Sequence, residues 1–116
     1  MNDYVIRVRS RNGVWLNGTI DDNTFVMKVA DEKSGFSIHD GRVFKLYVKD
    51  SAEREIIVYE RGWEKYPKTD LHKELLAALL MFADSLPTHE VWQRAMKWER
   101  SFLVTEDCVL EYEIDP

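Results

Sequence analysis

Residues 4–30 read YVIRVRSRNGVWLNGTIDDNTFVMKVA, and the fold class turns on them. Tyr4, Ile6 and Val8 alternate with Val5, Arg7 and Arg9. That period of two marks a half-buried strand. Leu16, Gly18 and Ile20 continue it in a second strand over 14–20. Phe25, Met27 and Val29 carry a third over 24–30. Asn12-Gly13 is a hairpin signal between the first two. A two-residue Asn-Gly loop sets Val8 against Asn17 and mixes the apolar stripe with polar side chains. A three-residue loop, Arg11-Asn12-Gly13, sets Val8 against Leu16 and Tyr4 against Ile20. It also gives Gly13 the positive φ that glycine tolerates best. The spacing therefore predicts the three-residue loop. By the same argument Asp22-Asn23 forms the next loop and pairs Ile20 with Phe25 and Leu16 with Val29.

Beyond this meander, residues 31–41 carry turn chemistry and read as a loop. Strands over 42–49 and 55–61 follow, with apolar residues on both sides, as in central or doubly covered strands. Residues 62–68 form a connector. Thr69 or Asp70 caps a helix that runs to about Leu86, with Leu71, Leu75, Ala78, Leu79 and Phe82 as its main face. Pro87 ends it, and Thr88 caps a second helix, His89 to Arg100. Cys108 to Ile114 alternate again as a last strand, with Cys108 on the apolar stripe. The order βββββααβ predicts one α+β domain over 1–116. Its mostly antiparallel sheet has about six strands, with two helices packed mainly on one face.

The composition suits a packed core. Of 116 residues, 45% are hydrophobic and 12% aromatic, well away from a disordered profile. A single cysteine excludes an intrachain disulfide and a cysteine zinc cage. The apolar run Leu75–Ala83 is far below the ~20 residues of a membrane span. With no basic-then-apolar leader at the N-terminus, the expectation is a cytoplasmic domain without membrane contact. The net charge is −5. Residues 1–20 hold three Arg and one Asp, whereas residues 101–116 hold five acids and no base. An acidic chain is a poor counterion for phosphate, so nucleic acid is an unlikely partner.

No arrangement of chemistry-bearing residues stands out, and the expectation is a non-enzyme with no catalytic, metal or cofactor residues. His39, His72 and His89 have no metal-ligand spacing, and each reads as a turn or first-turn residue. Cys108 sits among Glu106, Asp107 and Glu111, not in the electropositive setting a reactive thiol needs, and reads as a small buried hydrophobe. No glycine spacing makes a phosphate cradle. Arg7, Arg9 and Arg11 share one side of the first strand. With Trp15 they would suit a small anionic ligand or a nucleic acid. Alternatively, Arg7 and Arg9 pair with Glu111 and Glu113 across the sheet. Trp15, Val26, Val43, Tyr47, Ile57 and Tyr59 read as facing away from the helices. So large an apolar face marks a partner site, unless the second helix covers it or the register is off by one. A homodimer centred near Tyr47 or Tyr59 is one way to bury it.

Two stretches carry a resemblance: Phe36-Ser37-Ile38-His39-Asp40-Gly41-Arg42-Val43-Phe44-Lys45-Leu46, and Tyr59-Glu60-Arg61-Gly62-Trp63-Glu64-Lys65-Tyr66-Pro67. Together they resemble an uncharacterised domain family common in phages and prophages of Gram-positive bacteria. Trp15, Gly18, Phe25 and Lys28 fit that family's opening hairpin. The resemblance covers about 15–84 and implies a phage setting but no mechanism. Physically, Gly62 permits a bend, and Trp63 folds back on Pro67 or Tyr66. Arg42, Lys45, Arg61 and Trp63 either brace that turn or line a small anion or peptide site. The expected function is a protein-interaction module whose partner is a host or phage protein. Trp15, Tyr47, Tyr59, Arg61 and Trp63 are its candidate surface.

Overall fold

A computed structural model describes residues 3–88, 90–91 and 100–112. The meander forms β1 (Tyr4–Asn12), β2 (Trp15–Ile20) and β3 (Asn23–Val29). After a loop holding a 3-10 turn at Ile38–Asp40 come β4 (Val43–Lys49), β5 (Glu55–Tyr59) and β6 (Trp63–Lys65). Helix α1 (Asp70–Ser85) follows, and then β7 (Arg100–Val104) and β8 (Val109–Tyr112). The strands make one sheet in the order β6-β5-β4-β3-β2-β1-β7-β8. Every neighbouring pair is antiparallel.

This corrects the expected α+β architecture of six strands and two helices. The sheet has eight strands, and α1 is the one helix whose full extent is described. Strand β6 lies in the predicted connector, and its three residues are too few to show an alternation. Strand β7 lies where the second helix was expected to end: Arg100 opens a strand. Of the rest of that predicted helix, Glu90 and Val91 are described and are helical, with the Thr88 hydroxyl accepting from the Val91 amide at 3.4 Å as expected of a cap; residues 89 and 92–99 lie outside the described residues.

The registers also differ. Gly13 has the expected positive φ, +61°. The loop, however, is Gly13-Val14, with Asn12 opposite Trp15. Val8 faces Gly18, not Leu16, and a bulge at Arg9 shifts the ladder before Ser10 pairs with Asn17. Ile20 faces Asn23 and Leu16 faces Met27, one pairing step away from the expected register. Both slips keep the apolar stripes aligned, because alternation fixes a register only to within two residues.

Gly18 is demanded by the close approach of β1. A Cβ there would sit 2.0 Å from the Arg7 carbonyl oxygen. That contact is with backbone, which has no rotamer to give.

One face of the sheet is covered by α1. Thr69 caps the helix by accepting a hydrogen bond from the His72 amide at 3.0 Å. Leu75, Leu76, Ala78, Leu79, Phe82 and Ala83 are its buried residues. Phe82 meets Phe25 of β3 edge-on at 6.4 Å and Phe102 of β7 at 4.8 Å. Tyr4, Ile6, Leu16, Met27, Leu46 and Ile57 line the same core.

The other end of α1 is held by Arg42, which is only 8% exposed. Its Nε donates to the Ala30 carbonyl at 2.8 Å. Its Nη1 donates to the carbonyls of Ala83 at 3.0 Å and Leu86 at 2.6 Å. A helix leaves its last carbonyls unpaired, and its dipole favours a cation there. Arg42 answers both needs and ties the loop before β4 to the helix end.

Two outcomes are expected in urea denaturation. Gly18→Ala should destabilise by more than about 2 kcal/mol, since the backbone must move to admit the methyl group. Arg42→Ala should cost about 2–4 kcal/mol from the carbonyls it leaves buried. Arg42→Lys should recover only part of that, because an ammonium cannot reproduce the guanidinium fork.

Candidate functional site

The sheet face opposite α1 carries the candidate site. Phe25, Met27, Leu46 and Val48 are buried toward the helix. Alternation therefore turns Val26, Lys28, Lys45, Tyr47 and Lys49 the other way. The ladder sets them in rows. Trp15, Lys28 and Lys45 are cross-strand neighbours, as are Asn17, Val26, Tyr47 and Val58, and as are Arg7, Thr19, Thr24 and Lys49.

Trp15 and Val26 remain 38% and 39% exposed. The Lys28 ammonium lies 4.6 Å from the Trp15 ring centroid and 5.5 Å from that of Phe44. It thus rests between two rings, a cation–π arrangement that fixes both rings and the charge. Tyr47 donates to a Glu60 carboxylate oxygen at 2.7 Å. That hydrogen bond is the main reason its pKa is pushed up to about 12; burial and the charges of Glu60 and Glu64 add to it.

The charge pattern is lopsided. Strands β1 to β4 contain Arg7, Arg9, Arg11, Lys28, Lys45 and Lys49 but no Asp or Glu. Among the described residues, no carboxylate lies within ion-pair distance of Arg7, Lys28, Lys45 or Lys49.

The residues singled out in the sequence are divided between two faces. Trp15 and Tyr47 belong to the outer face. Tyr59 faces Leu46 on the helix side and is half-buried. The expectation that Val43, Ile57 and Tyr59 point outward is thus corrected: Val43 and Ile57 are core residues. The bulges in the β3–β4 and β4–β5 ladders reset the alternation there. Trp63 packs edge-on against Tyr59 at 5.0 Å and against Tyr66 at 4.9 Å, so the turn folds back on Tyr66. Arg61 stands exposed in that turn. Tyr59 donates to the Phe36 carbonyl at 3.2 Å, while the Phe36 ring is 88% exposed.

The arginine trio is divided too. Arg7 faces outward and Arg9 occupies the bulge. Arg11 pairs with Leu16 and therefore lies on the helix side. Its burial lowers its pKa; Asp31 opposes this, and Arg42 and Arg100 add to it. Arg42 is committed to the helix end and not to an anion site. Nor do Arg7 and Arg9 reach the last strand, because β7 stands between β1 and β8. Glu111 is taken instead by Arg100, in a two-pronged pair at 2.6 and 2.5 Å. Glu113 lies outside the described residues. Cys108 is exposed in the turn before β8, contrary to the expected buried position.

His39 and Asp40 are exposed in the 3-10 turn, both with positive φ. Among the described residues, no three His, Cys, Asp or Glu side chains converge on a metal-sized position. Also among them, no helix is long and apolar enough to cross a membrane.

A family profile described as a domain of unknown function, DUF7678, matches residues 14–84, more than half of the chain. The chain belongs to the DUF7678 family. The matched DUF7678 segment runs from the tip of the first hairpin to the end of α1. It takes in Trp15, Lys28, the Arg42 clamp, Tyr47 and the Trp63 turn, and leaves out β1, β7 and β8. No curated protein and no solved structure matches the chain.

The Tyr47–Glu60 bond has a measurable signature. In a spectrophotometric titration one phenol should ionise near pH 12. Glu60→Gln should bring it back toward the usual ~10. A tyrosine whose folded pKa is raised stabilises the fold fully below the unfolded pKa. That contribution should fall as pH rises from ~10 toward the folded value, and Glu60→Gln should shrink the fall.

Proposed function

We propose that this DUF7678 domain is a non-enzymatic protein-interaction module of phage or prophage origin. It binds a host or phage protein through the sheet face opposite α1. The observation that carries the reading is Trp15 and Val26, each more than a third exposed on a sheet surface beside cations that have no carboxylate within ion-pair distance among the described residues. Rigid sheet residues lose little entropy on binding, and aromatic anchors supply contact area cheaply. The phage setting rests on the resemblance of the two motifs.

The alternative, a small-ligand or nucleic-acid binder built on Arg7, Arg9, Arg11 and Trp15, has less support: Arg7 and Trp15 share the outer face, whereas Arg9 occupies the bulge and Arg11 pairs with Leu16 on the helix side. The Trp63 turn is the weaker surface for the interaction reading, because Trp63 is engaged with Tyr59 and Tyr66.

Immobilised domain incubated with a lysate of the source cell should retain a discrete protein. The double variant Trp15→Ala/Val26→Asp should lose it at least about tenfold, consistent with hot-spot truncation. Its melting curve should stay cooperative. Equal retention by the variant would remove the outer face from the function.

A further inference from the structure

We infer that the partner presents a short acidic segment bearing an apolar residue, which lies across β1 to β4 on the outer face. This inference rests on the interaction reading above and adds the chemistry of the partner.

The argument begins with charge. The whole chain carries −5, yet Arg7, Lys28, Lys45 and Lys49 point from one face with no carboxylate in ion-pair reach among the described residues. Concentrating like charges on one face is unfavourable for the fold and favourable only for an anionic visitor. The cations bracket a middle row with no charged side chain from β1 to β4; its Tyr47 end holds the Glu60 carboxylate, so the anionic segment is confined to the Asn17–Val26 side. Asn17 and Val26 lie between the Trp15–Lys28–Lys45 row and the Arg7–Lys49 row. An acidic segment would set its carboxylates on the brackets and an apolar side chain on Val26 and the Trp15 edge.

Dimensions limit the occupant. From β1 to β4 is three strand spacings, about 14 Å, which an extended segment crosses in about five residues. The ends of the strands are acidic. Asp21, Asp22 and Glu53 are exposed at one end, and Asp31, Glu32 and Asp40 at the other. A uniform polyanion continuing past the patch would meet these carboxylates, whereas a short protein segment would not. Lys28 also sits over the Trp15 ring and occupies a face that a base would stack on. The observations therefore favour protein over nucleic acid.

The test is fluorescence anisotropy with two labelled probes. One is a twelve-residue peptide of Asp and Glu with a central Leu, and the other is a twelve-nucleotide oligothymidine. The peptide should bind at low salt and weaken as salt screens the face. Lys45→Glu/Lys49→Glu should weaken it about tenfold or more, and Lys73→Glu, on α1, should leave it unchanged. Equal binding by all three proteins, or tighter binding of the oligothymidine, overturns the inference. So does a low-salt dimer in sedimentation that Lys45→Glu/Lys49→Glu dissolves, because the occupant is then a second copy. If the peptide fails to bind while Trp15→Ala/Val26→Asp still abolishes lysate capture, the acidic chemistry falls and the interaction reading stands.

Discussion

The hydrogen bonds of Arg42 to the end of α1 are the constraint on which the architecture hangs. Among the described residues one helix covers the sheet, and its N-terminal end is fixed by Thr69. The C-terminal end has no glycine cap, and its carbonyls point at the loop leading into β4. Arg42 collects the Ala30 carbonyl on one side and those of Ala83 and Leu86 on the other. The Ala30 amide in turn donates to the Arg42 carbonyl at 2.8 Å. The loop, β4 and the helix end are thereby locked to each other at a single buried cation. With the helix angle set, Phe82 falls between Phe25 and Phe102 and joins the two halves of the sheet.

This division of labour leaves Trp15 and Val26 exposed on the outer face, while Val58 at the far end of the Val26 row is buried. The helix and clamp complete a core on one side, and nothing in β1 to β4 needs the other side to be covered for its apolar stripe to be dry. Between β1 and β4 the acidic residues lie outside the strands, in turns and loops, where Asp21 serves the fold: its carboxylate accepts the Val5 amide at 2.9 Å. The four strands keep only bases, so the acidic total of the chain conceals a cationic stretch of the sheet.

Much of this was legible in the sequence, and the failures have particular causes. The meander, the Gly13 turn, the Thr69 cap and the buried face of α1 follow from periodicity and turn chemistry. Registers were not legible. Several of them align Val8, Leu16 and Phe25 equally well, and the deciding features, the Arg9 bulge and the Gly18 contact, depend on backbone approach. Tyr59 was placed on the wrong face because bulges in the β3–β4 and β4–β5 ladders reset an alternation that looked continuous. Strands β6 and β7 are too short to show a period against their neighbours. Arg42 was left between a structural and a ligand-binding reading because nothing in Gly41-Arg42-Val43 reveals a helix end more than forty residues away. The absence of acids from β1 to β4 was visible from the start, but it gained meaning only when the topology set those strands side by side.

The close approach at Gly18 has a bearing on how the family segment is completed. The matched stretch begins at the hairpin tip, so β2 is its outermost strand on that side, and β1 is supplied from beyond it. With no side chain at Gly18, β2 presents a notch in its backbone rim, and β1 enters it with the Arg7 carbonyl. The strand that seals the module is therefore chosen by shape as well as by hydrogen bonding. In this chain the first strand therefore closes the β2 border of the matched segment, at the point where Gly18 leaves room for it.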